Sequence, residues 1–330
     1  MNKRWVSVVV MLFVLMSFVG ITSAQDTIAP PPTIYATPQF EVEKKTHTYA
    51  QGLSHDDWGS ESAEIIDLVL DVYEPIDAPD NRPAILMIHG GGYISGSRTQ
   101  GAMTTIANHF AERGWVAMSI DYRLAGDKGT LPLYWLDTID RILPRSLQNQ
   151  ALAMYPANRD AKAAIRWLYA NADAYQINTN YITVGGGSAG ALISIVMGVT
   201  DEAYFRDELS LDDDPTLETA NLDQPAQIHT IIDYWGSGQN VNLLEIIEQI
   251  SQFDETDAPI MIVHGTEDKT VEYSLAEELR DEYEANEVPY AFYPLEGQGH
   301  SAWRAEVDGM TLAELAFEFV VEQQALTIAE

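Results

Sequence analysis

The chain has 330 residues, 46% of them hydrophobic and 21% charged, a globular composition that excludes disordered and fibrous proteins and allows one large α/β domain or two ordinary ones. Its 50 acidic and 18 basic residues give a formal net charge of −32, so nucleic acid and anionic membrane surfaces are not expected partners: their phosphates would be repelled. Zero cysteines exclude disulfides, a lipidated cysteine, thiolate metal sites and cysteine nucleophiles.

Along the chain, Lys3 and Arg4 precede an apolar run over 5–21 and the small residues Thr22-Ser23-Ala24. This is the layout of a signal peptide over 1–24, cleaved near Ala24, which makes the protein secreted or periplasmic with no stable membrane anchor. An uncleaved anchor is the competing reading, but the run is slightly short for a span. Residues 25–41 carry Pro30, Pro31, Pro32 and Pro38 without apolar periodicity and read as a flexible linker. The folded domain is expected over 42–330.

"EVEKKTHTY" and "IIDLVLDVYEP" alternate like an antiparallel pair at a sheet edge. "PAILMIHGGG", "TTIANHFAERG" and "WVAMSIDYR" then read as strand, helix, strand. The rhythm continues with the helix "NRDAKAAIRWLYANADAY", the strand "YITVGG", the helix "SAGALISIVMGV", the strands "HTIIDYWG" and "PIMIVHG", the helix "YSLAEELRDEYEANE" and the strand "VPYAFYP". Buried strands alternating with amphipathic helices predict an α/β fold: one domain, its mostly parallel central sheet covered by helices on both faces.

Two stretches break the rhythm. Residues 124–156, with Leu133, Tyr134, Trp135 and Leu136, are too long for an ordinary connection and read either as a lid or as an insertion without a catalytic role. Residues 204–227 are an acidic excursion, more simply an insertion; the run Asp212-Asp213-Asp214 lacks the spacing and glycine of a calcium loop.

"VGGGSAGA" over 184–191 fits two registers. Gly185, Gly187 and Gly190 make a dinucleotide fingerprint, whereas Gly186, Ser188 and Gly190 make the G-x-S-x-G turn that presents a nucleophilic serine. The fingerprint also requires a following strand that delivers an acid to the ribose about twenty residues on, and the acidic excursion lies there instead. The serine reading requires a base, an acid and an oxyanion hole elsewhere. Among seven histidines, His300 in "EGQGHSAW" lies in a glycine-flanked loop past the last strand. Asp268 follows the strand in "PIMIVHGTEDKTV" and is preferred to Glu267, whose side chain points the other way, and to Asp233 at an earlier strand end. In "HGGGY" over 89–93, three glycines let amides approach a developing negative charge, and Ala189 N–H adds a donor. The order Ser188, Asp268, His300 is the hydrolase order.

The blocks "HGGGY", "GGSAG", "HGTEDKTV" and "GQGHSAW" resemble those of α/β-hydrolase carboxylesterases from about 64 to 325. They are similar to hormone-sensitive-lipase-like esterases and, in the last third, to feruloyl-esterase-like and dienelactone-hydrolase-like members. The resemblance implies an α/β-hydrolase fold, Ser188 as nucleophile, His300 as base, Asp268 as acid, and Gly91, Gly92 and Ala189 as oxyanion donors. Hormone-sensitive-lipase-like esterases usually carry an acidic residue before the serine and a second glycine after the elbow, where this chain has Gly187 and Ala191; their acid sits in a different motif.

The expected activity is that of a secreted serine carboxylesterase acting through an acyl-enzyme, with no cofactor or metal required. Its substrate would be a neutral extracellular ester: an acylated polysaccharide, a feruloyl, acetyl or other short acyl ester, or a synthetic polyester. Aromatic residues of 124–156 and Trp303 either line an acyl pocket or pack in the core. A prolyl-oligopeptidase-type peptidase would need a β-propeller before the hydrolase domain, and a non-catalytic binding module would be expected to have lost a triad position.

Overall fold

The structure, a computed structural model, describes residues 30–329. Strands β1 (Thr33–Tyr35), β2 (Val42–His55), β3 (Ala63–Pro75), β4 (Arg82–Ile88), β5 (Val116–Ile120), β6 (Ile177–Gly187), β7 (Thr230–Tyr234), β8 (Ile260–Gly265), β9 (Tyr290–Leu295), β10 (Glu306–Val307), β11 (Met310–Thr311) and β12 (Thr327–Ala329) alternate with helices. The helices are α1 (Gly101–Ala111), α2 (Leu133–Ile142), α3 (Arg145–Ala170), α4 (Ala172–Tyr175), α5 (Ala189–Val199), α6 (Gln239–Glu248), α7 (Tyr273–Ala285) and α8 (Leu312–Gln323).

Eight strands form one sheet in the order β2-β3-β5-β4-β6-β7-β8-β9. β3 runs antiparallel to both its neighbours, and every pairing from β5 through β4 to β9 is parallel. Strands β4, β5, β7 and β8 are buried along their whole length, as continuous apolar runs must be when helices cover both faces. The two-residue side-chain period divides each strand between two cores. Ala84, Leu86 and Ile88 face the layer of α3, α5 and α7, whereas Ile85 and Met87 face α1 and α8. This is the expected α/β-hydrolase architecture.

Some expectations need correction. Part of the predicted linker is folded: Thr33–Tyr35 pair with Thr327–Ala329, Ile34 is fully buried, and Gln39 N–H donates to Glu112 O. Prolines set that stretch in an extended conformation, which suits a strand as well as a linker. The signal peptide expected over 1–24 lies outside the described residues. No helix among the described residues is long and apolar enough to cross a membrane.

The 124–156 insertion is largely helical, and its expected end falls inside α3, where Pro156 is a helix-interior residue. Trp135 is fully buried against Tyr155, whereas Leu133 and Tyr134 are exposed. Within 204–227, Asp214 is buried, caps a short 3-10 helix at Pro215–Thr219 and pairs with Arg159 at 3.1 Å. Arg123 and Asp160 form a second buried pair at 2.6 Å, and buried Lys162 donates to the carbonyls of Thr200 and Asp201. Helices α6 and α8 are additions to the sequence reading, and α8 opens with a capping box between Thr311 and Glu314.

Candidate active site

Parallel strands deliver their carboxyl ends to one edge of the sheet, where the loops after β4, β6, β8 and β9 meet. Ser188 joins β6 to α5 with φ 55° and ψ −122°, a positive-φ conformation that a non-glycine residue adopts only when its surroundings enforce it. The enforcement is close packing. A Cβ on Gly190 would lie 2.1 Å from Ile88 O, and one on Gly186 would lie 2.5 Å from the same oxygen. The G-x-S-x-G spacing thus reflects the passage of β4 directly beneath the turn.

His300 lies in the loop after β9. Its Nε2 is 2.9 Å from Ser188 Oγ, so a neutral ring protonated on Nδ1 accepts the hydroxyl proton there. Nδ1 donates to Asp268 Oδ2 at 2.6 Å. The other carboxylate oxygen, Oδ1, accepts from Thr270 N–H at 2.8 Å and Val271 N–H at 3.2 Å, which fixes the carboxylate plane. Asp268 is buried and Glu267 exposed. Asp233 lies inside β7 with no bond to His300; its Oδ1 accepts from Gly236 N–H and burial pushes its pKa up to about 7.

The loop after β4 passes beside the elbow: a Cβ on Gly90 would meet Gly187 O at 2.6 Å and Ser188 Cβ at 3.3 Å. Gly91 and Gly92 take φ of 122° and 61°, accessible to glycine at little cost. Ala189 is the first residue of α5, so its N–H belongs to the turn that helix geometry leaves unpaired, at the positive end of the helix dipole. His89 holds the loop from below. It stacks on Tyr122 at 4.3 Å and its Nδ1 bonds Gly90 O at 2.7 Å, while burial keeps its pKa below the usual histidine value.

Trp303 packs against the core, as one of its two readings had it, and two neighbours of His300 and Asp268, Trp235 and His264, were not singled out beforehand. Trp303 packs edge-on against Trp235 at 4.4 Å, and a Cβ on Gly187 would lie 2.6 Å from Trp303 Cζ2. The indole therefore fills the space that any side chain at position 187 would need. Trp235 itself has φ 48° and sits 6.3 Å from the His300 ring. His264, the histidine of H-G-T-x-D, donates from Nε2 to Val271 O at 2.9 Å and lies 3.4 Å from Asp268 Oδ2. Burial lowers its pKa, so it braces the acid's loop as a neutral ring.

The BD-FAE family model matches residues 70–141 and 146–283, more than half of the chain. The matched residues include the 89–93 loop, Ser188 and Asp268 and stop short of His300. Among curated proteins, the chain is 30% identical over 164 residues to "Esterase LipC" of Mycobacterium tuberculosis, covering 49% of this chain and 33% of that protein. It is 34% identical over 134 residues to "Carboxylesterase 3" of Homo sapiens, covering 40% of this chain and 20% of that protein. The likeness thus spans about a third or less of these relatives' own length. Among solved structures, esterase 2 of Thermogutta terrifontis phosphorylated by paraoxon superimposes with a TM-score of 0.61 at 23% identity, covering 84% of this chain and 94% of the other. The same enzyme with propionate bound gives 0.60 at 23% identity, covering 89% and 97%. At this identity the likeness speaks for the fold.

Proposed function

The chain belongs to the BD-FAE family, and on that premise we propose that it is a serine carboxylesterase working through an acyl-enzyme. The observation that carries the proposal is the unbroken relay from Ser188 Oγ to His300 Nε2 at 2.9 Å and from His300 Nδ1 to Asp268 Oδ2 at 2.6 Å. Ser188 Oγ attacks the ester carbonyl carbon as its proton passes to His300 Nε2. Asp268 stabilises the imidazolium and holds the ring in the required tautomer. The carbonyl oxygen, now an anion, is received by the amides of Gly91, Gly92 and Ala189. As the intermediate collapses, the C–O bond to the alcohol breaks and the alcohol leaves with the proton from His300. Water, deprotonated by His300, then releases the acid and restores Ser188. The chain's own residues supply each step.

Short acyl esters are the favoured substrates, because propionate is found bound in esterase 2 of Thermogutta terrifontis. The acidic surface favours neutral esters over anionic ones. Export through residues 1–24 would put acetylated or feruloylated polysaccharides, and small acyl esters, within reach. The test is hydrolysis of a p-nitrophenyl ester series from acetate upward by wild type and Ser188→Ala. Turnover that peaks at short chains and disappears in the variant is expected. A silent wild type refutes the esterase, and an active variant refutes the serine.

A further inference from the structure

The 89–93 loop is tied to more of the molecule than its own turn. The Gly91 carbonyl accepts from Ile94 N–H at 3.0 Å and Ser95 N–H at 3.2 Å, so the Gly91–Gly92 peptide is held locally. The next peptide is held from outside the loop. Gly92 O accepts from Gln150 Nε2 at 2.9 Å, and Gln150 stands on α3 within the 124–156 insertion, 58 positions away. Tyr93, at φ 62°, has its carbonyl bonded by Ala125 N–H at 2.7 Å and its hydroxyl by Asn240 Nδ2 at 2.5 Å.

We infer that Gln150 is a positioning residue for the reaction proposed above, on which this inference rests: it locks the Gly92–Tyr93 peptide, and through it the amides that receive the oxyanion. Two consecutive glycines are the softest joint the backbone allows, and their amides must stay within a fraction of an ångström of the oxyanion position to be effective. A bond on the Gly92 carbonyl fixes ψ of Gly92 and so removes a peptide flip that would carry the loop out of register. The insertion is thereby tied to the loop that carries two of the three amides proposed to receive the oxyanion.

The competing role is simple glue between the insertion and the body. A second bond close by separates the two, because Trp58 Nε1 donates to Asn149 Oδ1 at 3.0 Å, one residue from Gln150 and without contact to Gly92. The experiment measures kcat and KM for p-nitrophenyl butyrate, with thermal melting, for wild type, Gln150→Met, Gln150→Glu and Trp58→Phe. Gln150→Met keeps the side-chain length without the donor, and its kcat should fall roughly ten- to a hundredfold with KM changed less than about threefold, the pattern of a group that acts in the transition state. Gln150→Glu should fall at least as far, since a carboxylate then faces a carbonyl oxygen. Trp58→Phe should keep kcat within about twofold. The inference is overturned if both Gln150 variants keep wild-type kcat, if Trp58→Phe loses as much, or if both Gln150 variants fail to fold, which would make the residue structural. A wild type without turnover overturns the esterase reading instead.

Discussion

Around Ser188, four non-glycine residues hold positive φ: Ser188 at 55°, Tyr93 at 62°, Trp235 at 48° and Ser301 at 65°. Along α3 no residue does, and that helix carries buried charge instead, with Arg159, Asp160, Lys162 and Arg166 all nearly inaccessible. The first region stores conformational strain of about 1–3 kcal/mol per residue. The second stores desolvated charge, which becomes most costly when a partner is removed. Substitutions at the sheet edge should therefore act on turnover, and those of the buried charges of α3 on stability.

The sharpest separation comes from Asp268→Asn, which preserves size but favours the wrong imidazole tautomer. Its kcat should fall about 10⁴-fold with the melting temperature nearly unchanged. Arg123→Met should do the opposite. It leaves Asp160 buried without its partner, costing about 3–5 kcal/mol in urea unfolding, while kcat of the folded fraction stays within about threefold. If turnover collapses instead, the two regions are not separable.

Gly187→Ala probes the border. Its methyl would overlap Trp303 Cζ2, 2.6 Å away, and push against the loop that carries His300. A loss of about tenfold in kcat/KM with about 1–3 kcal/mol of stability is expected, measured by kinetics and urea unfolding on the same sample. Asp233→Asn should change turnover least and tests a third kind of cost, a buried acid. With a native pKa raised to about 7 against an ordinary value near 4, Asp233 keeps its proton in the folded chain while the unfolded chain has lost it. Native stability from this group therefore falls as pH rises from about 4 to about 7, and the penalty stays in full above that. Asparagine keeps the Gly236 bond and cannot ionise, so the variant should match wild type near pH 4 and exceed it by about 4 kcal/mol at pH 8, the rise from about 4 to about 7 taken at about 1.4 kcal/mol per pH unit. A constant difference across pH would show that Asp233 is ionised in the native chain.

The same two regions differ in how far they could be read from sequence. The serine turn, the glycine loop, Asp268 and His300 were legible because each lies in the loop after a parallel strand at the same sheet edge, so topology alone brings them together. The insertion was less so: it read as a lid or a plain insertion, without its helices, although its prolines are compatible with them. Pro144 precedes the first turn of α3, where proline is harmless. Pro156 costs a hydrogen bond, yet it packs against the Gly129 loop and α3 is buried without interruption over 152–168, which outweighs the roughly 3 kcal/mol of a helix-interior proline. Gln150 and Asn240 carried no local signal at all: each is a polar residue on a helix, and its partner lies 58 or 147 positions away. Helix α8 could have been read from Thr311-Leu-Ala-Glu314, whose capping box forms as that spacing allows.

The central claim is that Ser188 is the nucleophile, and covalent trapping tests it most directly. Paraoxon offers a phosphorus centre that Ser188 Oγ would attack, with p-nitrophenolate leaving. Peptide mapping by mass spectrometry after treatment should find one diethylphosphoryl group, on the peptide carrying Ser188, formed in step with the loss of esterase activity and missing from Ser188→Ala. Loss of activity with Ser188 unmodified, or an adduct on another residue, would contradict the account.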